Sequence, residues 1–309
     1  MKSVIEGPIP EGFRTAFEVS LFNTEQHRAI QSLSGWHSFY LVNDEKRLIL
    51  ASIHFFVKDQ LAVSPLHAPF GSFEWSDELE PSELYQFMLE IEPLLRAKGV
   101  CRIEIKHPPI YEPRQHLVPV FLNNMGYQIT NSEMGALIPV TEQKLEKRLH
   151  AWPGRKWKQS KQIGLVFKKL SLHEVETVYD FILAARDERG YGLSMSKHDV
   201  VKTATQCKKY FHLFGIYHDS ELVAACISIK VTSQLLYNFY LAHSRATDKI
   251  SPVVALLNGI YAWCQEQGFA WVDLGTSAIN QQPNFPLLEF KLRMGALPVS
   301  KFTFSKKLE

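Results

Sequence analysis

The chain has 309 residues, 46% of them apolar and 21% charged, with a formal net charge of +2. That length accommodates two domains of about 150 residues, and the composition is that of an ordinary globular protein. The near-balanced charge argues against a protein that binds nucleic acid over its whole surface.

The start, MKSVIEGPIPEGF, has no apolar stretch of the kind a secretory signal needs. No apolar run approaches the roughly 18–20 residues of a membrane span; the longest, around Val253 to Cys264, is broken by Asn258 and Gly259. Cys101, Cys207, Cys226 and Cys264 are scattered and form no CxxC or Cys/His metal pattern. A cytoplasmic protein with free thiols, no membrane span and no metal site is expected.

In the first half, SFYLVND, KRLILASIHFFVKD and QLAVSPLH read as three consecutive strands. SELYQFMLEIEPLLRAKG is a helix with Pro93 as its one kink signal. CRIEIKH is a strand, VPVFLNNMGY a short helix ending at Gly126, and a hairpin is expected after it. In the second half, SLHEVETVYDFILAARDER opens on a Ser171/Glu174 capping box and aligns Leu172, Val175, Val178, Ile182 and Ala185 on one face. Gly190 stops it, and another helix begins at Ser196. HLFGIYH, ELVAACISIKV and QLLYNFYLAHS form a predicted antiparallel meander. A helix then starts at Ser251-Pro252, with Ser as N-cap, and ends near Gly268. WVDLG is a strand, a short amphipathic helix stops at Gly295, and VSKFTFSKKL is the last strand.

The halves share this order. FLNNMG (Phe121–Gly126) and FKLRMG (Phe290–Gly295) end equivalent helices, and each follows an earlier helix-stopping glycine, Gly99 or Gly268, by the same interval. The expectation is an α/β (α+β) chain of two copies of one domain, 1–145 and 165–309, joined by a basic linker over 146–164. Each copy would be a mixed, mostly antiparallel sheet flanked by helices.

Several residues carry candidate chemistry. Lys291 lies among Leu287, Leu288, Phe290, Leu292 and Met294. It either marks an active site or snorkels along a surface helix. Phe290 beside it is core, substrate platform, or both. Asp273 ends a predicted buried strand; it accepts a proton, orients Lys291, or caps the next turn. On QLLYNFYLAHS, simple alternation puts Tyr237 and Phe239 on one side and Asn238 and Tyr240 on the other. Asn238 and Tyr240 are preferred as substrate contacts, because a buried Asn needs partners. His243, at the strand end, is either a general base or a solvated histidine. Arg245 and Lys249 offer charge before the next helix, and Ser277, in the loop after DLG, is a further substrate-binding candidate.

From Lys144 to Lys169 nine Lys/Arg face Glu146 alone, a local charge of +8, so the remainder carries −6. Arg155 and Lys158 lie at its centre, with Trp152 and Trp157 interleaved. The segment is either a solvated basic helix or a site for a polyanion such as tRNA, a nucleotide-sugar or a lipid diphosphate. No GxSxG, Walker or HExxH motif appears.

The order meander, helix, strand, helix, strand resembles the acyl-CoA N-acyltransferase (GNAT) fold. Tandem copies in which the second carries Asp273-Leu274-Gly275 and then Phe290-Lys291-Leu292-Arg293-Met294-Gly295 resemble the FemAB-like transferases. RKWKQSKQIGL (Arg155–Leu165) and DERGYG (Asp187–Gly192) also look like segments of that group. The resemblance implies N-acyl transfer to an amine acceptor, a small molecule or a cell-wall precursor. It places Lys291 at the catalytic centre, with the donor held where the strands QLLYNFYLAHS and WVDLG splay apart. It implies acyl-CoA as a possible donor, or aminoacyl-tRNA as in the peptidoglycan-bridge enzymes. A ligand-binding protein without catalysis is the reading from a different class. Neither half carries the glycine-rich loop that holds the CoA pyrophosphate at a helix start. In the first half Asp77, Glu78, Glu80 and Glu83 would repel it, so that copy reads as degenerate and as the acceptor side.

Overall fold

The computed structural model describes residues 2–279 and 281–308. Its principal strands are β1 (Lys2–Glu6), β2 (Trp36–Asn43), β3 (Leu48–Lys58), β4 (Leu61–Ser64), β5 (Arg102–Lys106) and β6 (Gln128–Pro139). They continue as β7 (Val166–Leu170), β8 (Phe211–His218), β9 (Glu221–Lys230), β10 (Leu235–His243), β11 (Trp271–Thr276) and β12 (Leu297–Lys307). The α-helices are α1 (Glu25–Gln31), α2 (Pro81–Arg96), α3 (Leu117–Asn124) and α4 (Ala151–Gln162), then α5 (Val175–Asp187), α6 (Lys197–Gln206), α7 (Pro252–Gln267) and α8 (Phe285–Arg293).

The chain forms two compact units, one of residues 1–133 with 299–309 and one of residues 134–298. In unit 1 the sheet order is β1-β2-β3-β4-β5-β12. β2, β3 and β4 form an antiparallel meander, β5 lies parallel to β4, and β12 runs antiparallel to β5. In unit 2 the order is β7-β8-β9-β10-β11-β6, with the same senses: an antiparallel meander, β11 parallel to β10, and β6 antiparallel to β11. Helices α2 and α7 make the parallel crossovers. Both have Pro in their first turn, and Gly99 and Gly268 follow them at φ 80° and 77°, a left-handed conformation that glycine adopts without a Cβ clash.

The units do not follow the expected limits at 145 and 165. Unit 2 takes its last strand from residues 134–139, and unit 1 takes its last strand from the C-terminal segment. The hairpin expected after Tyr127 is one long strand, β6. An alternating segment declares itself a strand, but nothing local names the edge it joins. The linker expected over 146–164 is also part of unit 2. It folds as α4, and Trp157 packs against the core that α7 builds with β8, β9 and β11.

Each unit has its own core. Unit 1 is filled by Phe39, Ile53, Phe55, Leu84, Phe87, Ile103 and Phe304, among others. Unit 2 is filled by Phe214, Ile216, Leu236, Leu256, Ile260, Tyr261 and Val272. The Ser171/Glu174 box forms as expected: the Ser171 amide donates to Glu174 Oε2 at 2.8 Å, and the His173 amide donates to Ser171 Oγ at 3.4 Å. Ser251 differs from expectation. Its backbone is left-handed, at φ 52°, and its hydroxyl donates back to the Asp248 carbonyl instead of capping α7.

Candidate functional site

The site is built where β10 and β11 part. Their parallel pairing joins Leu235–Tyr237 to Trp271–Asp273 and stops there. β10 runs on to His243, while β11 shifts register against β6 between Asp273 and Thr276. Gly275, at φ 72°, makes that turn. A Cβ there would stand 3.4 Å from the Tyr237 ring. Among the described residues no strand pairs with the inner edge of β10 beyond Tyr237, so its backbone donors and acceptors face the gap.

Asp273 and Lys291 hold the gap's floor. Asp273 is 1% exposed, and its Oδ1 accepts the Gly275 amide at 2.7 Å. Of the roles open to it in sequence, the structure displays turn capping. Lys291, in the last turn of α8, is 5% exposed, so it does not snorkel. Its ammonium donates to the carbonyls of Gly275 at 2.9 Å and Thr276 at 2.8 Å. An ammonium has three donors, so one remains. Burial pulls the Lys291 pKa down to about 8, against the opposing pull of the Asp273 carboxylate.

That depression fixes the sign of a pH effect. The unfolded chain binds a proton at Lys291 up to about pH 10.5, whereas the folded chain loses it near 8. The fold therefore carries the cost of the buried charge below pH 8 and is relieved of it as pH rises to 10.5. Relative to Lys291→Met, the natural protein gains stability over that window, by about 3 kcal/mol in total. Denaturant melts of both proteins between pH 7 and 10.5 read it directly; parallel curves would contradict the buried cation.

The other candidates separate. Ser277 joins the floor: it is 1% exposed, its amide donates to the Met134 carbonyl at 2.8 Å, and its hydroxyl is buried with no described partner. Phe290 packs on the core of unit 2 and meets Trp152 edge-on at 6.5 Å. Asn238 and Tyr240 do not share a face. Ser228 pairs with Asn238 while Ile227 pairs with Tyr240, which leaves Phe239 as the extra residue of a β-bulge. Neighbouring residues of β9 point to opposite sides, so their partners do too. Asn238 Oδ1 accepts the Ser228 hydroxyl at 2.8 Å, and its Nδ2 is buried without a described partner. Tyr240 stacks on Phe239 at 3.9 Å, and its hydroxyl accepts the Met195 amide at 2.9 Å and contacts Ser194 Oγ at 2.7 Å.

His243 is six residues past the last β10–β11 pair, on the order of 20 Å along the strand. Its Nε2 lies 2.8 Å from Asp248 Oδ1 and 3.2 Å from an Arg189 nitrogen. Burial and Arg189 both lower its pKa. The structure therefore does not bring His243 to Lys291. Arg245 is elsewhere too, donating to the Glu188 carbonyl at 3.2 Å. Arg155 and Lys158 are exposed on α4. Several other cations of the basic segment are engaged within unit 2. Lys161 pairs with Glu146 at 3.0 Å, Lys168 sits over Tyr217 and Lys169 over Trp263.

One residue escaped the sequence reading. Arg186, on α5, lies half-buried over the Tyr240 ring at 5.7 Å, and burial pulls its pKa down while Tyr240 and Tyr237 oppose the shift. The signal was present: Arg186 follows Ile182 by four residues, so it shares the helix's apolar stripe. Among the described residues no group of three or more His, Cys, Asp or Glu is placed to hold a metal, and no helix is long and apolar enough to cross a membrane.

The profile of the Acetyltransferase (GNAT) domain family matches residues 154–285. No curated protein matches the chain in sequence. Among solved structures, FemX superposes with a TM-score of 0.71 at 12% identity, over 93% of this chain and 92% of that one. L-PGS from Bacillus licheniformis gives 0.57 at 14% identity, over 93% and 92%. A tandem GNAT protein from the clavulanic acid biosynthesis pathway gives 0.51 at 11%, over 88% and 82%. At these identities the likeness is one of fold. The domain match, with the parted strands of unit 2, shows a GNAT-like domain over residues 154–285, and the two like-ordered sheets give the chain as a whole the fold of FemX and of the tandem GNAT protein.

Proposed function

We propose that this protein is an N-acyltransferase that moves an acyl or aminoacyl group from an activated donor to an amine at the gap between β10 and β11. The observation that carries the reading is Lys291: a buried ammonium, held by two carbonyls of the DLG turn, with one donor to spare. In the reaction the amine nitrogen attacks the acyl carbonyl carbon, and the carbonyl oxygen takes up the displaced electron pair. The remaining Lys291 N–H is suited to that oxyanion, since a preorganised donor in a desolvated site needs little reorganisation as charge develops. Collapse re-forms the carbonyl, breaks the bond to the leaving thiolate or alkoxide, and sends the amine's proton to the leaving group through solvent. The open edge of β10 offers backbone groups to align an extended donor arm.

The start of α7 does not fit a CoA pyrophosphate. Pro252 has no amide hydrogen, Val254 N–H is bonded to the Ser251 carbonyl at 3.1 Å, and Pro252, Val253 and Val254 are buried. The start of α2 is no better, because Glu83 occupies the Glu80 amide there. This favours, as a second reading, an aminoacyl-tRNA donor acting on a cell-wall precursor. The exposed Arg155 and Lys158 suit its phosphates. A mass-detected transfer assay should separate the readings. Acetyl-CoA, longer acyl-CoAs and aminoacyl-tRNAs would each be offered with a panel of amines that includes peptidoglycan precursors. Product from an aminoacyl-tRNA, weakened by Arg155→Ala/Lys158→Ala, is the expected result under the second reading. Failure with every activated donor would favour ligand binding without catalysis.

A further inference from the structure

Unit 1 holds a cluster that acyl transfer in unit 2 does not use. A cavity of about 520 Å³ lies beside α1, β2 and β3, lined among others by Arg28, Trp36, Tyr40, Ser52 and His54. That volume is in the range of small-molecule sites.

Its lining is unusual for a core. Arg28 is 8% exposed. One nitrogen donates to the Asn23 carbonyl at 2.6 Å, and the guanidinium sits 6.0 Å from the centre of the Trp36 ring. A guanidinium has five donors, and the partners described for this one, the Asn23 carbonyl and the Tyr40 hydroxyl, include no carboxylate. Ser52 is 2% exposed, and its hydroxyl has no described partner. His54, 3% exposed, shares its Nδ1 with the Ser38 hydroxyl at 2.9 Å, and burial with the nearby Arg28 charge keeps it neutral. Two acids act on Arg28 through space, the exposed Glu25 and the buried carboxyl of Glu74; Glu74 accepts the Ser20 amide at 2.9 Å and leaves its other oxygen unpartnered. Burial raises its pKa to about 7, so at neutral pH it answers the Arg28 charge only in part. A buried cation with donors to spare is costly unless an anion joins it.

We propose that this cavity binds the carboxylate of a small, singly charged organic acid, with Arg28 as its cation and Tyr40 and Ser52 as neutral donors. The single charge follows from the surroundings. Arg28 is the one arginine or lysine among the lining residues; Glu25 also lines the cavity and would repel a phosphate dianion more than a monoanion, whereas the lining Glu6 is answered by Lys98 at 2.9 Å. The Trp36 and Tyr40 rings supply an apolar wall for the body of the acid. The proposal does not depend on catalysis in unit 2.

Calorimetry on the full chain with acetate, benzoate and phenylacetate, and with inorganic phosphate as the dianion, tests it. Saturable binding of at least one carboxylate is expected, strongest for the aromatic acids and absent for phosphate. Arg28→Gln should weaken it roughly tenfold to hundredfold, and Lys291→Met should leave it unchanged. Ser52→Val, which removes the unpartnered hydroxyl and narrows the cavity, should also weaken it. That variant decides the matter if circular dichroism shows Arg28→Gln unfolded. No carboxylate binding up to about 10 mM, binding indifferent to Arg28→Gln or Ser52→Val in folded protein, or tighter binding of phosphate would each overturn the proposal.

Discussion

Lys291→Met is expected to lower turnover by about 10²–10³ while leaving a folded protein. The side chain is 5% exposed, and its ammonium spans the Gly275 and Thr276 carbonyls. Methionine keeps the apolar stem and removes the charge. Two opposed terms act on stability. The two carbonyls lose a donor, at about 1–3 kcal/mol, and the fold no longer buries a charge at neutral pH. The net change should be small against the kinetic loss. Circular dichroism and a denaturant melt establish folding, and steady-state rates with whichever donor the transfer assay identifies establish the loss. Full turnover in a folded Lys291→Met protein would reduce Lys291 to a tie that shapes the DLG turn. Because the oxyanion exists only in the transition state, the loss should fall on kcat more than on KM.

Gly259→Ala is expected to destabilise unit 2 by about 1–3 kcal/mol, although alanine ordinarily favours a helix interior by about 1 kcal/mol. An added Cβ would stand 2.1 Å from the Phe167 ring. That ring stacks on Phe214 at 5.7 Å, so it lies between α7 and β8. The ring or the helix must move. Phe167→Ala made alone should open a cavity and destabilise in its own right. In the double variant the overlap is gone, so the two losses should sum to more than the measured total. Thermal melts of the four proteins complete the cycle, and strict additivity would show that ring and glycine do not meet.

Gly259 also marks where reading residues in order reaches its limit. In the sequence it interrupts an apolar run, and so it served only to exclude a membrane span. In the fold it is the slot for an aromatic ring from a strand more than 90 residues earlier. Most of the elements were legible, because their signals are local. β-rich runs with short joints marked the two meanders, SFYLVND to QLAVSPLH and HLFGIYH to QLLYNFYLAHS. The Ser171/Glu174 box marked the start of one helix, and Gly99, Gly126, Gly268 and Gly295 stand at the ends of four others. The approach to the candidate site was legible only through the family resemblance that two short strings, DLG and FKLRMG, carry; spacing alone left Lys291 open between a site and a surface lysine.

What lay beyond the sequence depends on which strand meets which, and by what register. Residues 134–139 and 299–308 are plain strands in sequence, yet their edges are chosen by the whole sheet of each unit. One bulge at Phe239 sends Asn238 and Tyr240 to opposite faces, and a period of two cannot foresee an inserted residue. His243 was a candidate base in sequence, but β10 carries it six residues beyond the last β10–β11 pair, where it meets Asp248 and Arg189 instead of Lys291. The burial of Lys291 and Arg28 was likewise decided by tertiary structure. A long cationic side chain on a short helix can reach water or a pair of carbonyls, and only packing excludes the first. Local residue patterns were enough for the two meanders and most of the helices; packing chose the strand partners, turned the basic linker into α4, and settled which polar groups lost their water.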